Sequence, residues 1–359
     1  MTGPAIAWLP DGRRLHMNHG PMDLIVEAFG ADDERQAAYE QAAGRFRTVL
    51  GELVEELPAL RRPSSGLPRR FAGSTAQAME TAACRFSQRG AVFVTPMAAV
   101  AGAVADAVLA AMVDGRRLDR AYVNDGGDIA LHLAPGASLR IAIGGKDETM
   151  ADRVTLRAED AVRGVATSGW RGRSHSLGIA DAVTVLARDA ASADVAATLI
   201  ANAVDLPRHP VIGRMAAREL APDSDLGGRL VTTAVGALSA GEVDMALERG
   251  LTVAEDFRRR GLIAAAALFL NGEARSCGGV ADRLALCDTP LWPAGHLPLK
   301  GGEWLSPPPR SLSYVAGCTV AAKPPISPLE GEMAGRPEGG LVELCLPNKY
   351  TDHEESPHA

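Results

Sequence analysis

The chain has 359 residues, of which 47% are hydrophobic and 23% charged, so it is long enough to bury a sizeable core. Only 4% of the residues are aromatic, the formal net charge is −7 and no long basic run occurs, which argues against a dedicated nucleic-acid-binding protein. The five cysteines include no CxxC pair and no Cys/His cluster at zinc-ligand spacing, which indicates free thiols in a reducing compartment.

The first third of the chain predicts strands followed by helices. Short apolar runs between turn signals predict two or three strands in residues 1–30, the last of them MDLIVEAFG. We expect Asp32 to cap a helix that runs to about Leu60, because apolar side chains recur there at helical spacing. Next we expect a helix over residues 76–87, a strand over AVFVT and an alanine-rich helix over residues 97–113.

The remaining elements complete an α/β pattern. Strands are expected over residues 120–123, 128–133 and 139–143, and the last two are joined by an Ala-Pro-Gly-Ala turn. A strand over residues 179–187 precedes a helix over residues 192–204, with Ser192 as its N-cap, and residues 230–270 indicate strand, helix, strand. Residues 1–305 are expected to form one domain, which could consist of two subdomains. Residues 306–359 are rich in proline and glycine and are expected to be disordered.

Two features bear on location. The apolar run over residues 91–113 contains Pro96 and Asp106, and a charge in mid-bilayer costs about 2.5–3.5 kcal/mol, so we expect a buried helix instead of a membrane span. The N-terminus shows no basic leader followed by an apolar run. A cytoplasmic protein without membrane or nucleic-acid partners is therefore expected.

A glycine turn lies between two of the predicted strands. Gly126 and Gly127, flanked by Asn124 and Asp128, permit positive φ and let backbone N–H groups approach a phosphate or a polar ring edge. The alternative is a plain hairpin, because Asp-Gly is a common short turn signal.

The densest polar cluster follows the apolar run GVA at residues 164–166. Thr167 and Ser168 precede Arg171, Arg173 and His175 within a few residues, which supplies many donors for an anionic group. An ordinary solvated loop is the alternative. The apolar residues on each side favour a loop whose two ends are fixed to the sheet.

Three aspartates complete the candidate residues. Asp194 and Thr198 are four residues apart in a predicted helix, so their oxygens share one face and suit Mg²⁺. Capping by Ser192, with Asp194 favouring the helix dipole, is the alternative. Asp106 interrupts an apolar run and faces a partner or a cleft, with helix capping or surface exposure as the alternatives. Asp181 interrupts an apolar strand and points into the same cleft or, alternatively, faces water.

Three motifs in order resemble the ApbE-like superfamily, that of the FAD:protein FMN transferases. They are N-x-G-G-D at Asn124–Asp128, A-T-S-G at Ala166–Gly169 and A-D-x-x-x-T at Ala193–Thr198, within about 110 residues from 97 to 204. The resemblance implies an ApbE-like fold of the α+β type, with mainly antiparallel sheets packed against helices around a central cleft.

The same resemblance implies the ligands. Asp194 and Thr198 would hold Mg²⁺, while Asn124, Gly126, Gly127 and Asp128 would contact FAD, with Thr167 and Ser168 lining the same site. Asp106 would match the aspartate that ends the Lys-Gly helix motif of that family. The partner would be an acceptor flavoprotein, whose threonine receives FMN.

The chain also departs from those transferases. Ala101-Gly102 stands where they carry Lys-Gly, and no D-P-x-T-G segment follows His175. The SHSLGIADA segment and PMAAVAGA resemble instead a sister group of uncharacterised cytoplasmic ApbE-like proteins. That group occurs largely in methanogens and methylotrophs.

Two main hypotheses follow. The first is an enzyme that transfers or hydrolyses a flavin nucleotide from FAD or a related phosphorylated cofactor with Mg²⁺, in which Arg171, Arg173 or the candidate catalytic residue His175 stabilises developing charge. The second is a non-catalytic protein that binds a flavin, pterin or other phosphorylated ligand, with a conceivable link to tetrahydromethanopterin-dependent one-carbon metabolism. A homo-oligomeric scaffold with a vestigial site is a third, based on the alanine-rich helices alone.

Overall fold

The computed structural model describes residues 3–147, 150–278, 284–285 and 342–344. Its helices are α1 (Asp32–Leu60), α2 (Ser74–Phe86), α3 (Val100–Val113), α4 (Ala190–Ala203), α5 (Ala217–Leu220) and α6 (Ala240–Arg259), with 3₁₀ turns at Gln88–Gly90 and Pro96–Ala99. Its strands are β1 (Ala5–Trp8), β2 (Leu15–His19), β3 (Met22–Gly30), β4 (Leu118–Asp125), β5 (Asp128–Leu133), β6 (Ser138–Asp147), β7 (Met150–Arg157), β8 (Gly164–Ser168), β9 (Ala182–Ala187), β10 (Ile212–Ala216), β11 (Leu230–Val235), β12 (Ala265–Leu270), β13 (Glu273–Cys277), β14 (Leu284–Ala285) and β15 (Val342–Leu344).

A nine-stranded sheet organises the described part of the chain, in the order β1-β2-β3-β4-β5-β8-β9-β12-β13. A four-stranded sheet has the order β14-β7-β6-β15, and β10 pairs with β11 alone. The neighbouring strands in these sheets pair antiparallel. The prediction of an α+β type of α/β fold, with mainly antiparallel sheets packed against helices, is confirmed.

Side-chain alternation along the strands separates two cores. Val123, Ala130 and Ala166 lie in the larger core, which the nine-stranded sheet forms with the helices. Tyr122 and Ile129, one residue away along the same strands, lie in the smaller core together with apolar residues of β6 and β7. Successive residues of a strand point to opposite faces. The position of a residue along its strand therefore tells which core its side chain faces.

Helix α3 lies inside the larger core. By length and composition, Pro96–Val113 is the one stretch among the described residues that could cross a membrane. The same segment contacts α1, α4 and the strands β4 and β5. The core helix of a globular domain passes the same test of length and composition. The contacts of α3 support a core helix, in agreement with the expected buried helix.

Most elements predicted in the first half are present, but one predicted strand is absent. The strand expected over AVFVT, residues 91–95, is wrong, because these residues have no regular structure. Tertiary contacts decide their course: the Ser64 N–H donates to the Val94 carbonyl, and the Arg229 guanidinium lies over the Phe93 ring. Strand propensity is readily overridden by such contacts.

Both expected helix caps are wrong. Helix α4 begins two residues before Ser192, and the carboxylate of Asp189 caps it by accepting from the Ser192 N–H at 2.7 Å. Helix α1 starts at Asp32 itself, and its N-cap residue Ala31 offers no side-chain acceptor. The capping carboxylate of α4 therefore lies one helical turn earlier than expected.

The second half shows further differences. The Ala-Pro-Gly-Ala turn joins two strands that belong to different sheets, β5 and β6, and the strand expected from residue 179 begins at Ala182. Strands β7 and β8 were not expected. Residues 230–270 do form strand, helix and strand, but β11 pairs with β10 outside the large sheet. The expected boundary at residue 305 and the expected disordered tail lie outside the described residues, apart from β15.

Candidate functional site

A two-residue hairpin turn forms one side of the candidate site. Gly126 and Gly127 connect β4 to β5 with φ values of 62° and 106°, a conformation that costs other residues energy. The Asn124 side-chain oxygen accepts from the Gly127 N–H at 2.8 Å and holds the turn. The hairpin and the glycine-rich approach to a ligand, which the sequence left as alternatives, are thus compatible in one structure.

Two carboxylates flank this turn on the helix side of the sheet. Asp125 and Asp128 are directly opposed in the β4–β5 ladder, and Asp125 is also opposed to Leu24 of the larger core. Their exposures are only 4% and 9%. Asp125 accepts from the Asp23 N–H at 3.2 Å, and Asp128 accepts from the backbone N–H of Thr167. Two like charges are therefore buried side by side.

Helix α4 presents a short polar stripe to the same region. Among residues 190–201 of this helix, every position is buried except Asp194 and Thr198. These two residues are one turn apart and so lie on one face. The Asp194 charge acts on Asp128, which shows that the two carboxylates are neighbours across the helix–sheet interface.

Helices α3 and α4 cap each other with carboxylates. Asp194 of α4 accepts from the Gly102 N–H at 3.1 Å and from the Ala101 N–H, both at the start of α3. Asp106 of α3 accepts from the first N–H groups of α4, those of Ala190 and Ala191, at 3.1 and 2.9 Å. The positive ends of two helix dipoles therefore converge beside the buried carboxylates.

A glycine allows the two helices to come this close. A Cβ on Gly102 would lie 2.3 Å from the Ala190 carbonyl oxygen, and one on Gly164 would lie 2.1 Å from the Asp189 carbonyl. No side chain fits at such distances, so both positions require glycine for packing. The start of α4 is consequently fixed from two sides.

Burial raises the pKa of each of these aspartates. It raises the pKa of Asp194 to about 8, with a smaller rise from the neighbouring Asp125 and Asp106 charges, against hydrogen bonds from α3. It likewise raises the pKa of Asp125 to about 7 and that of Asp106 to about 6. The pKa of Asp128 lies well above its ordinary value, because of burial and then the Asp194 charge. The site therefore favours a bound cation or bound protons at neutral pH.

The loop of residues 169–175, which contains Arg171 and Arg173, contributes one charge to the site. Arg173 is exposed, and its charge lowers the pKa of Asp125 and Asp128 against the larger effect of burial. Arg171 instead pairs with Asp181 at 3.3 Å and lies over the Trp170 ring. His175 is exposed, and within the described residues no hydrogen bond or ion pair involves its side chain. Arg173 is thus the residue of this loop whose charge acts on Asp125 and Asp128.

Asp181 holds the loop in place. Its carboxylate accepts from the Asn271 N–H at 2.6 Å and from the Trp170 indole N–H at 3.3 Å. The adjacent backbone is equally tight, since a Cβ on Gly169 would lie 2.3 Å from the Asp181 carbonyl oxygen. These contacts account for Asp181 without a ligand, and its ligand-binding role stays a prediction.

The two hydroxyls of β8 point to different faces. The Thr167 hydroxyl hydrogen-bonds that of Thr184 at 2.9 Å, on the side of the smaller core. Ser168, the next residue, faces the helices by alternation. Thr167 therefore contacts Asp128 only through its backbone N–H. The Ser168 side chain lies on the same face of the sheet as Asp125 and Asp128.

The structure thus brings together a subset of the residues named from the sequence. Asp194 and Arg173 both act electrostatically on Asp128, Gly126 and Gly127 adjoin Asp128 in the turn, Thr198 lies one turn along α4 from Asp194, and Ser168 faces the helices. The other candidates have contacts elsewhere: Asn124 within the turn, Thr167 on the opposite face, Arg171 and Asp181 with each other, and Asp106 at the start of α4.

Sequence reasoning missed Asp125. It lies inside the N-D-G-G-D run, but attention to the glycines and to the two outer residues left it out. The signal was available, because Ala121 and Val123 alternate with Asp125 along one strand face.

The donor set limits the kind of metal centre that could form. Within the described residues, no group of three or more His, Cys, Asp or Glu side chains could hold a metal ion. Asp194 and Thr198 supply one carboxylate and one hydroxyl, both hard oxygen donors. Such a sparse set fits a cation that keeps several waters or takes oxygens from a phosphorylated ligand, as Mg²⁺ does.

Removing the Asp106 carboxylate should destabilise the protein. Asp106→Ala leaves two N–H groups at the buried start of α4 without partners, so we expect the free energy of unfolding to fall by about 1–3 kcal/mol. Urea denaturation at neutral pH measures this change. Asp33→Ala, at an exposed position in the first turn of α1, serves as the control and should cost less than about 0.5 kcal/mol. Equal losses in the two variants would contradict the capping role.

Comparison with known proteins places the chain in a family. Its sequence matches the family described as AbpE bacteria over residues 6–276, well over half of the chain. The chain belongs to this family. The resemblance to the ApbE-like superfamily, inferred from three short motifs, is confirmed.

The chain is also similar to proteins named UPF0280. The matches include those of Methanopyrus kandleri (34% identical over 183 residues, 50% of this chain and 69% of that protein), Methanoregula boonei (36% over 138 residues, 37% and 57%) and Archaeoglobus fulgidus (39% over 112 residues, 31% and 45%). The chain spans about half the length of the first of the curated relatives it matches.

Two solved structures show a distant likeness. One is the flavinyl transferase ApbE of Pseudomonas stutzeri in its apo form, with 14% identity, a TM-score of 0.38 and coverage of 77% of this chain and 95% of that chain. The other is the ApbE protein of Thermotoga maritima, with 17% identity, a TM-score of 0.30 and coverage of 71% and 79%. Likeness at these TM-scores says nothing about the ligand of the site.

Proposed function

We propose that this protein binds FAD or a related phosphorylated cofactor together with Mg²⁺ at the sheet end, and transfers or hydrolyses the flavin nucleotide. One observation carries the proposal: burial and the neighbouring Asp194 and Asp125 charges raise the pKa of Asp128, and the charge of Arg173 opposes the rise at Asp125 and Asp128. Buried charges need compensation, and a cation carried in with an anionic ligand supplies it.

Asp194 and Thr198 are the residues that would hold the cation. They are partly exposed on an otherwise buried helix face, and their oxygens match the preference of Mg²⁺. When bound, the cation neutralises charge on a pyrophosphate and polarises its phosphoryl oxygens. The remaining coordination positions are left to water and to the ligand.

The turn and the loop would bind the anionic part. Gly126 and Gly127 present backbone without a Cβ, so a phosphate or a ring edge can approach the hairpin closely. Arg173 offers a planar set of five N–H donors at the same end of the sheet. Ser168 adds a hydroxyl on that face, and His175, exposed on the same loop, is our candidate for moving a proton.

The flavin and its acceptor come from family membership combined with the three motifs. The motifs of this chain resemble those of proteins that transfer FMN from FAD to a threonine hydroxyl. An acceptor flavoprotein in the cytoplasm is therefore the partner we propose for transfer, and water is the acceptor for hydrolysis.

Incubation of the purified protein with FAD and Mg²⁺ tests the proposal. We expect AMP release, measured by chromatography, that depends on Mg²⁺ and falls about a hundredfold or more in Asp194→Asn. Asp33→Asn removes an exposed carboxylate far from the site and should leave the rate unchanged. No AMP release by the wild type, or equal rates in both variants, would rule out hydrolysis of the flavin nucleotide at this site; the same outcome with an acceptor flavoprotein in the incubation would rule out transfer.

A second candidate is a non-catalytic carrier of a flavin or pterin. The observation that favours it is the exposed His175, which lacks an orienting carboxylate in the described part of the chain, as a general base usually requires. Mass spectrometry of the denatured protein should then show a copurified ligand. Thermal stabilisation by FAD or by a tetrahydropterin, without AMP release, would distinguish this function from the first.

A further inference from the structure

A basic loop connects α1 to α2. Residues 61–70, RRPSSGLPRR, contain four arginines and no acidic residue. Leu67 near the middle of this loop is 81% exposed, an unusual position for a large apolar side chain. Arg69 anchors the loop, since its guanidinium pairs with the buried Glu80 at 2.8 Å.

A cavity of about 520 Å³ lies beside the loop. It is lined by Gly66, Cys84, Arg85, Gln88, Asp256 and Arg260. The Arg260 guanidinium donates to the Arg85 carbonyl at 3.0 Å and so joins the C-terminal ends of α2 and α6. Loop and cavity form one surface, because Gly66, the neighbour of Leu67, belongs to the cavity wall.

The acidic groups of this surface already have partners. Asp256 pairs with Arg259 and Arg260, and Glu80 pairs with Arg69. No ion pair among the described residues involves the other loop arginines, Arg61, Arg62 and Arg70. A locally positive surface therefore stands on a chain whose formal net charge is −7.

We propose that this surface docks an acidic peptide segment of a partner protein. Carboxylates of the segment pair with the three free arginines, and an apolar side chain packs on Leu67 while a neighbouring polar one enters the cavity. Complementary charge steers such partners together and fixes their register. This proposal is independent of the nucleotide function proposed above.

The surface fits a peptide better than it fits other anionic partners. Neither the cavity wall nor residues 61–70 include an aromatic side chain, on which the bases of a single-stranded nucleic acid would stack. The net charge of −7 opposes approach of the whole chain to an anionic membrane.

Fluorescence anisotropy with a labelled acidic peptide, EELEELEE, tests the proposal on the full chain. We expect saturable binding that weakens about tenfold or more in the variant Arg62→Glu/Leu67→Ser/Arg70→Glu. Binding should also weaken as added salt shortens the Debye length from about 30 Å to about 8 Å. Arg218→Glu/Leu220→Ser/Arg249→Glu makes the same changes at exposed positions elsewhere and should bind as the wild type does.

Any one of three results would overturn the proposal. They are no binding of EELEELEE, equal weakening in both triple variants, or equal binding of the basic peptide KKLKKLKK. Tighter binding of phosphatidylglycerol vesicles or of a single-stranded oligonucleotide, with the same dependence on Arg62 and Arg70, would assign the surface to those partners instead. The milder pair Arg62→Ala/Arg70→Ala, checked by circular dichroism, keeps the test valid if the triple variant misfolds.

Discussion

The metal-free protein should lose stability as the pH rises from about 5 to about 8. The unfolded chain releases the Asp194 proton near its ordinary pKa of 3.8, whereas the folded chain holds it up to a pKa of about 8. A folded state that keeps a proton the unfolded state has lost becomes less stable by about 1.4 kcal/mol per pH unit. Asp125 and Asp128 act in the same direction, because burial raises their pKa too.

Asp194→Asn separates this effect from the rest of the chain. The amide carries no charge, so the variant should lose less stability over the same pH range and should exceed the wild type in melting temperature at about pH 8. Melting curves in the presence of a chelator measure both quantities. Asp33→Asn, which changes an exposed carboxylate, should follow the wild-type pH dependence.

The effect of added Mg²⁺ on the melting temperature tests the same site independently. Added Mg²⁺ should raise the wild-type melting temperature most at high pH, where the carboxylates are ionised, and should not affect Asp194→Asn. A metal-free wild type that becomes more stable from pH 5 to 8 would contradict the described burial of these aspartates.

The second large effect is expected at the crossing of α3 and α4. Gly102→Ala would place a Cβ 2.3 Å from the Ala190 carbonyl oxygen, and Gly164→Ala would place one 2.1 Å from the Asp189 carbonyl. Backbone must move in each case, so we expect the free energy of unfolding to fall by about 2–4 kcal/mol, and the mutual capping of the helices to be disturbed.

Gly51→Ala is the matched control for both variants. Gly51 lies at an exposed position of α1, and a Cβ there would meet nothing within 4 Å. Alanine in a helix interior should therefore stabilise the protein by about 0.5–1 kcal/mol. Urea denaturation of the three variants gives opposite signs if the helix crossing is as tight as described. Stabilisation by Gly102→Ala would disprove the close approach.

Local sequence signals predicted the elements whose own residues decide their structure. The apolar spacing of residues 32–60 gave both ends of α1, and the glycine pair gave the β4–β5 turn. The strand expected over residues 91–95 does not form because the Val94 carbonyl accepts from the Ser64 N–H and the Phe93 ring contacts Arg229, both distant in the sequence. Strand β7 was missed because Met150–Arg157 mixes charged and apolar residues.

The candidate site was predicted in composition but not in arrangement. The residues Asp128, Asp194 and Thr198 were named from short motifs, yet their meeting depends on strand pairing and on the packing of α4 against the sheet. The sequence could not show that Asp106 serves α4 or that Thr167 turns to the opposite face, because both follow from tertiary neighbours.

Mutual capping by Asp106 and Asp194 also restricts how this chain can change in length. Asp194 lies about one turn and Asp106 nearly two turns beyond the start of its own helix, and each must point at the start of the other helix. One inserted residue would rotate everything beyond it by about 100° around the helix axis. Insertions and deletions should therefore be absent from the first turns of α3 and α4 throughout the family, while the connecting loops vary freely.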